Sequence, residues 1–274
     1  MAEIAQTDVV TFGDREFASP APTEPIDAGW RPFFRVGGIV ALLTVGVAIT
    51  EIIVTFFPNG AGEGIVTAAD WFALFQADPF MGLRNLGLLN IGFFALGVVV
   101  YVALYGALQR VSRGWVTLAL ITYCVGAAVF FATNRALPML QLANHHATAA
   151  TEAQRSALLA AGEAMLAVGQ SHTPGTFLAF ALAGAAGFML SLMILRSNII
   201  SKASAYIGLV GFSLLLIYDF GASFLSSPPD FILMIALPGG ILSMVWYVTV
   251  GRSLLALSRD TAPQTSENAL LHAQ

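Results

Sequence analysis

Long apolar segments alternate with short polar stretches along most of this chain. Six of these segments approach the roughly 20 predominantly apolar residues that a helix needs to cross a bilayer. They lie at residues 34–57, 85–107, 115–133, 174–195, 204–225 and 230–257. Pro58-Asn59-Gly60 and Pro228-Pro229 are typical helix breakers, and they separate neighbouring segments. The pattern therefore predicts an all-α fold, a polytopic bundle of six transmembrane helices.

Polar stretches flank the apolar region at both ends of the chain. The first 30 residues are polar, acidic and contain prolines, and residues 258–274 are polar without a helical period. Segments of this kind bury too little apolar surface to fold. We therefore expect disordered cytoplasmic tails at 1–33 and 258–274 around one transmembrane domain at 34–257. The N-terminal stretch also lacks the basic start and apolar centre of a signal peptide.

The positive charges are distributed unevenly between the two sides of the predicted bundle. If the N-terminus is cytoplasmic, three cations lie in outer loops, namely Arg84, Arg135 and Arg155. Eight flank the inner ends: Arg31, Arg35, Arg110, Arg113, Arg196, Lys202, Arg252 and Arg259. Cytoplasmic loops of membrane proteins carry an excess of Lys and Arg. The charge distribution therefore predicts that both termini are cytoplasmic.

Two of the predicted outer loops are long enough to hold structure of their own. In the first, the aromatic run at 68–75 favours a helix in the membrane interface with its rings at headgroup depth. In the second, residues 134–173, Thr151 and Gln154 have the spacing of a capping box. Apolar residues follow Thr151 at helical spacing, with Glu152 and Glu163 on the polar side. We expect an amphipathic outer helix between spans 3 and 4, packed on the bundle as a lid.

The overall composition agrees with a membrane location. Hydrophobic residues make up 57% of the chain and charged residues 10%, and the mean hydropathy is +0.77. Soluble domains carry about 25% charged residues, so a soluble enzyme is excluded. No basic block is present that would bind nucleic acid. The expected partner is the lipid bilayer, with no nucleic acid, and the single Cys124 permits no disulfide within the chain.

Four stretches of the chain resemble a known family. They are residues 132–140 (ATNRALPML), 149–165 (AATEAQRSALLAAGEAM), 193–208 (MILRSNIISKASAYIG) and 246–254 (WYVTVGRSL). Together they are similar to a bacterial membrane-protein family catalogued as domain of unknown function 4386, and the outer-helix stretch is the most specific. The resemblance covers about residues 35–257. It implies a six-helix integral protein of a bacterial plasma (inner) membrane and no established activity.

A few polar side chains fall at similar depth in the outer half of the predicted spans. Glu51 and Asp219 lie inside the first and fifth spans, Asn90 lies near the start of the second, and Arg135 follows the third. Ionisable groups within a membrane are costly unless they are paired or hydrated, which makes them functional candidates. We hypothesise a polar, outward-facing pocket in which Arg135 pairs with a carboxylate. The alternative is an interfacial role, because both carboxylates lie within two turns of a span end.

Histidines cluster in the second outer loop. His145, His146 and His172 share it with Glu163, and such side chains are common zinc ligands. However, adjacent histidines rarely bind one metal, and the chain has no HExxH motif. Histidines exposed to solvent are the better interpretation. We therefore expect no metal and no cofactor, and the three histidines remain weak metal candidates.

Small residues recur every fourth position on the fourth span, at Ala179, Ala183, Gly187 and Ser191. Stripes of this kind let transmembrane helices approach closely. Packing within one bundle is the simpler interpretation, and dimerisation is the alternative.

Several motifs that are typical of enzymes and ATP-driven pumps are absent from the sequence. The chain has no GxSxG elbow, Walker loop or GxGxxG, and its only lysine, Lys202, lies at the inner end of a span. The leading hypothesis is a non-enzymatic bundle that binds or moves a small hydrophobic or amphipathic molecule in the outer pocket. The runner-up is an accessory subunit of a membrane complex. The third is an outer-leaflet enzyme that uses the outer carboxylates.

Overall fold

The computed structural model describes residues 28–56, 65–167, 176–225 and 230–259. A short 3-10 helix, Ala28–Trp30, leads into the α-helices. These are α1 (Arg31–Phe56), α2 (Ala68–Ala77), α3 (Pro79–Asn85), α4 (Leu88–Leu108), α5 (Arg113–Thr133), α6 (Ala136–Thr148), α7 (Glu152–Ala167), α8 (Phe177–Arg196), α9 (Lys202–Phe224) and α10 (Asp230–Arg259). The described part of the chain contains no β-strand.

Six of these helices are long and apolar enough to cross a membrane, as the sequence predicts. They are α1, α4, α5, α8, α9 and α10, with 20 to 30 residues each. At 1.5 Å per residue they reach roughly 30–45 Å, which matches a bilayer. Helix α1 begins at Arg31, within the last three residues of the segment 1–33 that the sequence predicts to be a tail. Most of both predicted tails, 1–27 and 260–274, lies outside the described residues.

The six long helices form a closed ring in chain order. Each packs against its neighbours in the series α1, α4, α5, α8, α9, α10, and α10 packs back against α1. The short connections 109–112 and 197–201 leave room only for antiparallel hairpins between their flanking helices. In this ring α9 lies opposite α4.

Small residues make the contacts between neighbouring spans close. A Cβ atom at Gly126 of α5 would lie 3.0 Å from the Ala179 carbonyl oxygen of α8. A Cβ at Gly187 would lie 2.5 Å from the Phe212 ring of α9. Ser191 is fully buried. The small-residue stripe of the fourth span therefore packs inside the bundle.

Aromatic rings occupy the centre of the bundle. Tyr101 stacks on Tyr123 with ring centroids 3.9 Å apart, and Phe94 stacks on Phe130 at 4.4 Å. Trp246 meets Phe212 edge-on at 5.1 Å, and its ring is tilted against that of Tyr101 at 6.5 Å. Rings from α4, α5, α9 and α10 thus form one cluster, which we call the aromatic centre (Phe94, Tyr101, Tyr123, Phe130, Phe212 and Trp246).

The four short helices pack together around a hydrophobic core of their own. We call α2, α3, α6 and α7 the cap, and the end of the bundle that carries them the cap end. The core of the cap contains the buried side chains of Trp71, Phe72, Phe75, Leu86 and Met139. The first two predicted outer loops therefore fold together, because each contributes one apolar face to the other.

The aromatic helix of the first loop corrects our prediction. The sequence predicted a helix with its rings in the headgroup region, and α2 does form over Ala68–Ala77. However, Trp71, Phe72 and Phe75 are only 5%, 2% and 1% exposed, because they face the core of the cap. The aromatic run by itself could not distinguish a helix core face from a face in the membrane interface.

Candidate functional site

A carboxylate from one predicted outer loop holds the start of a helix in the other. The Glu163 Oε1 atom on α7 accepts a hydrogen bond from the backbone N–H of Ala68 at 2.7 Å. Gly162, next to it, packs so closely that an added Cβ would lie 2.8 Å from the Ala68 Cβ. Glu163, a predicted outer-helix candidate, is therefore a clamp between α7 and α2 in this structure.

The start of α2 also has its own capping box. The Asp70 carboxylate accepts hydrogen bonds from Thr67 N at 2.9 Å, Thr67 Oγ1 at 2.7 Å and Val66 N at 3.2 Å. The Thr67 bonds, backbone first, and then the Val66 bond hold the pKa of Asp70 below its ordinary value of 3.8. These bonds satisfy backbone N–H groups at the start of α2.

Helix α7 begins with the capping pattern that the sequence indicates. Thr151 Oγ1 accepts a hydrogen bond from Gln154 N at 3.2 Å, and Gln154 Oε1 accepts one from Ala150 N at 3.2 Å. Glu152 forms an ion pair with Arg155 at 3.5 Å, with both side chains largely exposed. Exposed pairs of this kind contribute roughly 0–1 kcal/mol. Glu152 therefore occupies a solvated face of the cap.

The histidines of the cap have ordinary neighbours. The His146 ring lies 5.3 Å from the Phe72 ring, and His145 Nε2 lies 3.5 Å from Gln141 Nε2. His145 also lines an open groove of about 530 Å³ between α6 and α7. Among the described residues, no group of three or more His, Cys, Asp or Glu side chains is placed to hold a metal ion. His172 lies outside the described residues.

Glu51 lies five residues before the end of α1, at the cap end. One of its carboxylate oxygens, Oε2, is buried and has no hydrogen-bond partner. Glu51 is therefore an acid near the cap end with one carboxylate oxygen shielded from solvent.

Arg84 is a site residue that the sequence analysis missed. We counted it only as an outer-loop cation, but its side chain is 8% exposed. Its Nε donates to Asn85 Oδ1 at 3.0 Å, and its Nη2 donates to the same oxygen. The Asp78-Pro79 pair is a typical helix start and could have predicted α3. Arg84 would then have been placed in the last turn of a helix packed on the bundle.

Asn90 lies at the start of α4, where two corners of the chain meet. Gly87, with φ of +93°, precedes α4 and provides no side-chain cap. The side chain of Asn134 crosses from the end of α5 and donates to the carbonyl oxygens of Leu86 and Gly87 at 3.3 and 3.4 Å. A Cβ at Gly87 would lie 3.2 Å from Asn134 Nδ2 and 3.9 Å from Asn90 Nδ2. The α5–α6 corner is thus bonded to the start of α4.

Arg135 directly follows Asn134 and is only 7% exposed. Its Nη2 atom is buried and has no hydrogen-bond partner. No ion pair joins it to Glu51, Asp219 or another acid of the described segments, so the pairing hypothesised from the sequence is not formed there. Leaving a buried charge without a partner typically costs about 3–5 kcal/mol.

Asp219 lies apart from the other three candidates. It is 2% exposed and lies on α9, which packs against α8 and α10. One turn later the Ser223 hydroxyl is buried without a partner. The structure therefore brings Asn90 close to the corner that holds Arg135.

These features define the class of protein. The long helices expose large apolar side chains around the bundle, including Leu43, Leu118, Val125, Val210 and Ile217. Such a surface is typical of contact with lipid, and the chain is a multi-pass helical membrane protein.

Comparison with known families identifies the chain more closely. It belongs to the family described as domain of unknown function (DUF4386), whose model matches residues 39–248. This confirms the resemblance seen in the sequence. Comparisons with curated proteins and with solved structures found no match.

Proposed function

We propose that this protein binds a small hydrophobic or amphipathic molecule in a pocket at the cap end of the bundle. The observation that carries the proposal is the position of the buried polar atoms without partners. Three of them, Glu51 Oε2, Asn85 Nδ2 and Arg135 Nη2, belong to residues near the cap end of their helices. A neutral group of this kind costs about 1–3 kcal/mol when it stays unpaired, and a charged group costs more. A bound molecule with polar atoms would supply the missing partners.

The proposed orientation places this pocket on the outer side of the membrane. The excess of Lys and Arg at the end of the bundle opposite the cap supports cytoplasmic termini. The family resemblance supports a bacterial plasma (inner) membrane. A pocket at the cap end would then open toward the outer leaflet and the space beyond it.

Binding of a fluorescent amphiphile tests the proposal. The purified protein in detergent is titrated with a fatty acid that carries an environment-sensitive fluorophore, with fluorescence as the readout. We expect Asn90→Leu to weaken binding about tenfold, which corresponds to about 1.4 kcal/mol. The matched control is Gln109→Leu, which removes an amide from the other end of α4. Equal effects of the two substitutions would contradict the proposed pocket. The absence of saturable binding in the parent protein and in both variants would contradict it as well.

A second candidate function is a non-catalytic accessory subunit of a membrane complex. The aromatic centre favours it, because stacked and edge-on rings fill the middle of the described bundle. This packing favours binding at one end over passage through the middle. If the amphiphile does not bind, the accessory role becomes the better explanation. A stable larger assembly on native gels of mildly solubilised membranes would then support it.

A further inference from the structure

We propose that the anionic head group of an amphiphile, a carboxylate or a phosphate, binds at Arg135. This inference rests on the proposed function above and names the chemistry of the ligand. Its basis is the contrast between a buried cation and the absence of a described counter-charge. Arg135 is 7% exposed, and its Nη2 has no hydrogen-bond partner.

Among the described residues, no carboxylate of the membrane spans forms an ion pair with Arg135. Glu51 lies near the end of α1, which does not pack against α5 or α6. Asp219 lies on α9, which does not pack against the helices around Arg135. An arginine keeps its proton throughout the accessible pH range, so it cannot become neutral when it is buried. The described residues therefore leave the charge of Arg135 without a counter-charge.

The surroundings of Arg135 supply donors and few acceptors. The Asn134 Oδ1 atom already accepts a hydrogen bond from Ala136 N at 3.1 Å. Its Nδ2 atom donates to the carbonyl oxygens of Leu86 and Gly87 before α4. Helix α4 begins after Gly87, which provides no side-chain cap for the first N–H groups of the helix. A helix N-terminus favours negative charge, as does a guanidinium group. An oxyanion complements this combination of donors.

Apolar side chains next to Arg135 favour an amphiphile over a free anion. Phe131, one turn earlier on α5, is 44% exposed, and Leu137 on α6 is 58% exposed. Both lie where a lipid-facing span passes into the cap. A hydrocarbon chain attached to the head group would pack against such side chains. Carboxylates and phosphates both accept two parallel hydrogen bonds from a guanidinium, so fatty acids and anionic phospholipids share the chemistry required.

The experiment compares head groups on the delipidated, detergent-purified protein. Oleate, phosphatidylglycerol, zwitterionic phosphatidylcholine and uncharged monoolein are titrated separately, and the thermal midpoint is followed through tryptophan fluorescence. We expect oleate or phosphatidylglycerol to raise the midpoint saturably and the other two to have little effect. Stabilisation by oleate alone identifies a carboxylate ligand, and stabilisation by phosphatidylglycerol alone identifies a phospholipid.

Two substitutions connect the effect to Arg135. Arg135→Gln should weaken binding of the anionic amphiphile at least tenfold. Arg155→Gln, which removes an exposed arginine of the cap, is the matched control and should bind like the parent. If Arg135→Gln does not fold, Arg135→Lys is used instead, because lysine keeps the charge but cannot donate two parallel hydrogen bonds. The Arg135→Lys variant should bind the amphiphile more weakly and still prefer anions. A purely structural role for Arg135 would leave the preference among head groups unchanged.

The outcomes separate this inference from the proposed function. The inference is wrong if monoolein stabilises the protein as well as the anions do, or if Arg135→Gln retains the anion effect. In either case, binding of monoolein that depends on Asn90 would preserve the proposed pocket without the anionic head group. If none of the four amphiphiles binds, both the inference and the proposed function are wrong.

Discussion

At the scale of single residues, the most restrictive contact lies in the aromatic centre. Tyr123 points its hydroxyl at α4, where it donates to the Phe94 carbonyl oxygen at 3.4 Å. The hydroxyl fits there because Gly97 has no side chain. A Cβ at Gly97 would lie 1.7 Å from the Tyr123 oxygen, far inside van der Waals contact. The glycine therefore sets how closely α4 and α5 approach.

We predict that Gly97→Ala destabilises the protein by about 1–3 kcal/mol, as overpacked cores typically do. The measurement is thermal or denaturant unfolding of the detergent-solubilised protein. Gly92→Ala is the matched control on the same helix, because its added Cβ would meet nothing within 4 Å. Tyr123→Phe in the Gly97→Ala background should recover part of the loss, since it removes the clashing oxygen. Equal stability of the Gly97→Ala and Gly92→Ala variants would contradict the contact.

The candidate residues differ in how far the sequence could predict them. Glu51 and Asp219 are conspicuous as charges within apolar runs, and Arg135 stands next to the end of a predicted span. Arg84 could not be recognised in this way, because its burial depends on the cap folding over it. The sequence also gave no reason to expect the bonds from Asn134 to the Leu86 and Gly87 carbonyls. Those bonds depend on two loops that meet only in the folded protein.

At the scale of elements, the start of α2 is the best-defined electrostatic feature of the cap. The Asp70 carboxylate accepts three hydrogen bonds there, and they lower its pKa. A group whose pKa is lower in the folded protein stabilises the fold above its ordinary pKa. The contribution of Asp70 is therefore complete above about pH 3.8 and is lost as the pH falls through its lower folded pKa.

We predict faster hydrogen exchange in α2 as the pH falls below about 3.8, after correction for the intrinsic pH dependence of exchange. Asp70→Asn should reduce this pH dependence, because the amide does not titrate. The internal control is α7, which Thr151 and Gln154 cap with neutral groups. Exchange in α2 that follows the same pH profile in Asp70→Asn and in the parent would rule out Asp70 as the titrating group.

The elements themselves were predicted well where one helix face or one long apolar run decides the outcome. The six spans lie within three residues of their predicted bounds, and α7 begins at its predicted cap. The role of α2 was wrong because its partner surface belongs to α6, about 65 residues later in the chain. Apolar residues that cover each other across such a distance leave no signal in local periodicity.

At the scale of the whole molecule, the side of the membrane on which the cap lies can be measured directly. We predict that single cysteines at Ser112 and Ser201, in a Cys124→Ser background, are protected from an impermeant thiol reagent applied outside intact cells. A cysteine at Thr148 in the cap should be labelled. The reason is the excess of cations at the end opposite the cap. Labelling of only one of the two residues Ser112 and Ser201 would contradict the six-span topology.

The closed ring makes the first and last spans neighbours although they are far apart in the chain. Gly251 of α10 lies against α1, where an added Cβ would be 3.0 Å from the Ala41 Cβ and 3.1 Å from the Gly38 carbonyl oxygen. Disulfides need Cβ atoms about 3.5–4.5 Å apart, so a small outward shift of the helices would permit a bond here. Such a bond would close a loop that contains nearly the whole bundle.

We therefore predict that Ala41→Cys with Gly251→Cys, in a Cys124→Ser background, forms an intramolecular disulfide under mild oxidation. Faster migration on non-reducing gels, reversed by reductant, is the readout. The bond should raise the unfolding free energy by about 2–4 kcal/mol, because it constrains a long loop in the unfolded chain. The control variant combines Gly46→Cys with Gly251→Cys. Gly46 lies five residues farther along α1, and an added Cβ there would meet nothing within 4 Å. That pair should stay reduced. Disulfide-linked dimers in place of the internal bond would show that α1 of one chain packs against α10 of another. This outcome would contradict the closed ring within one chain.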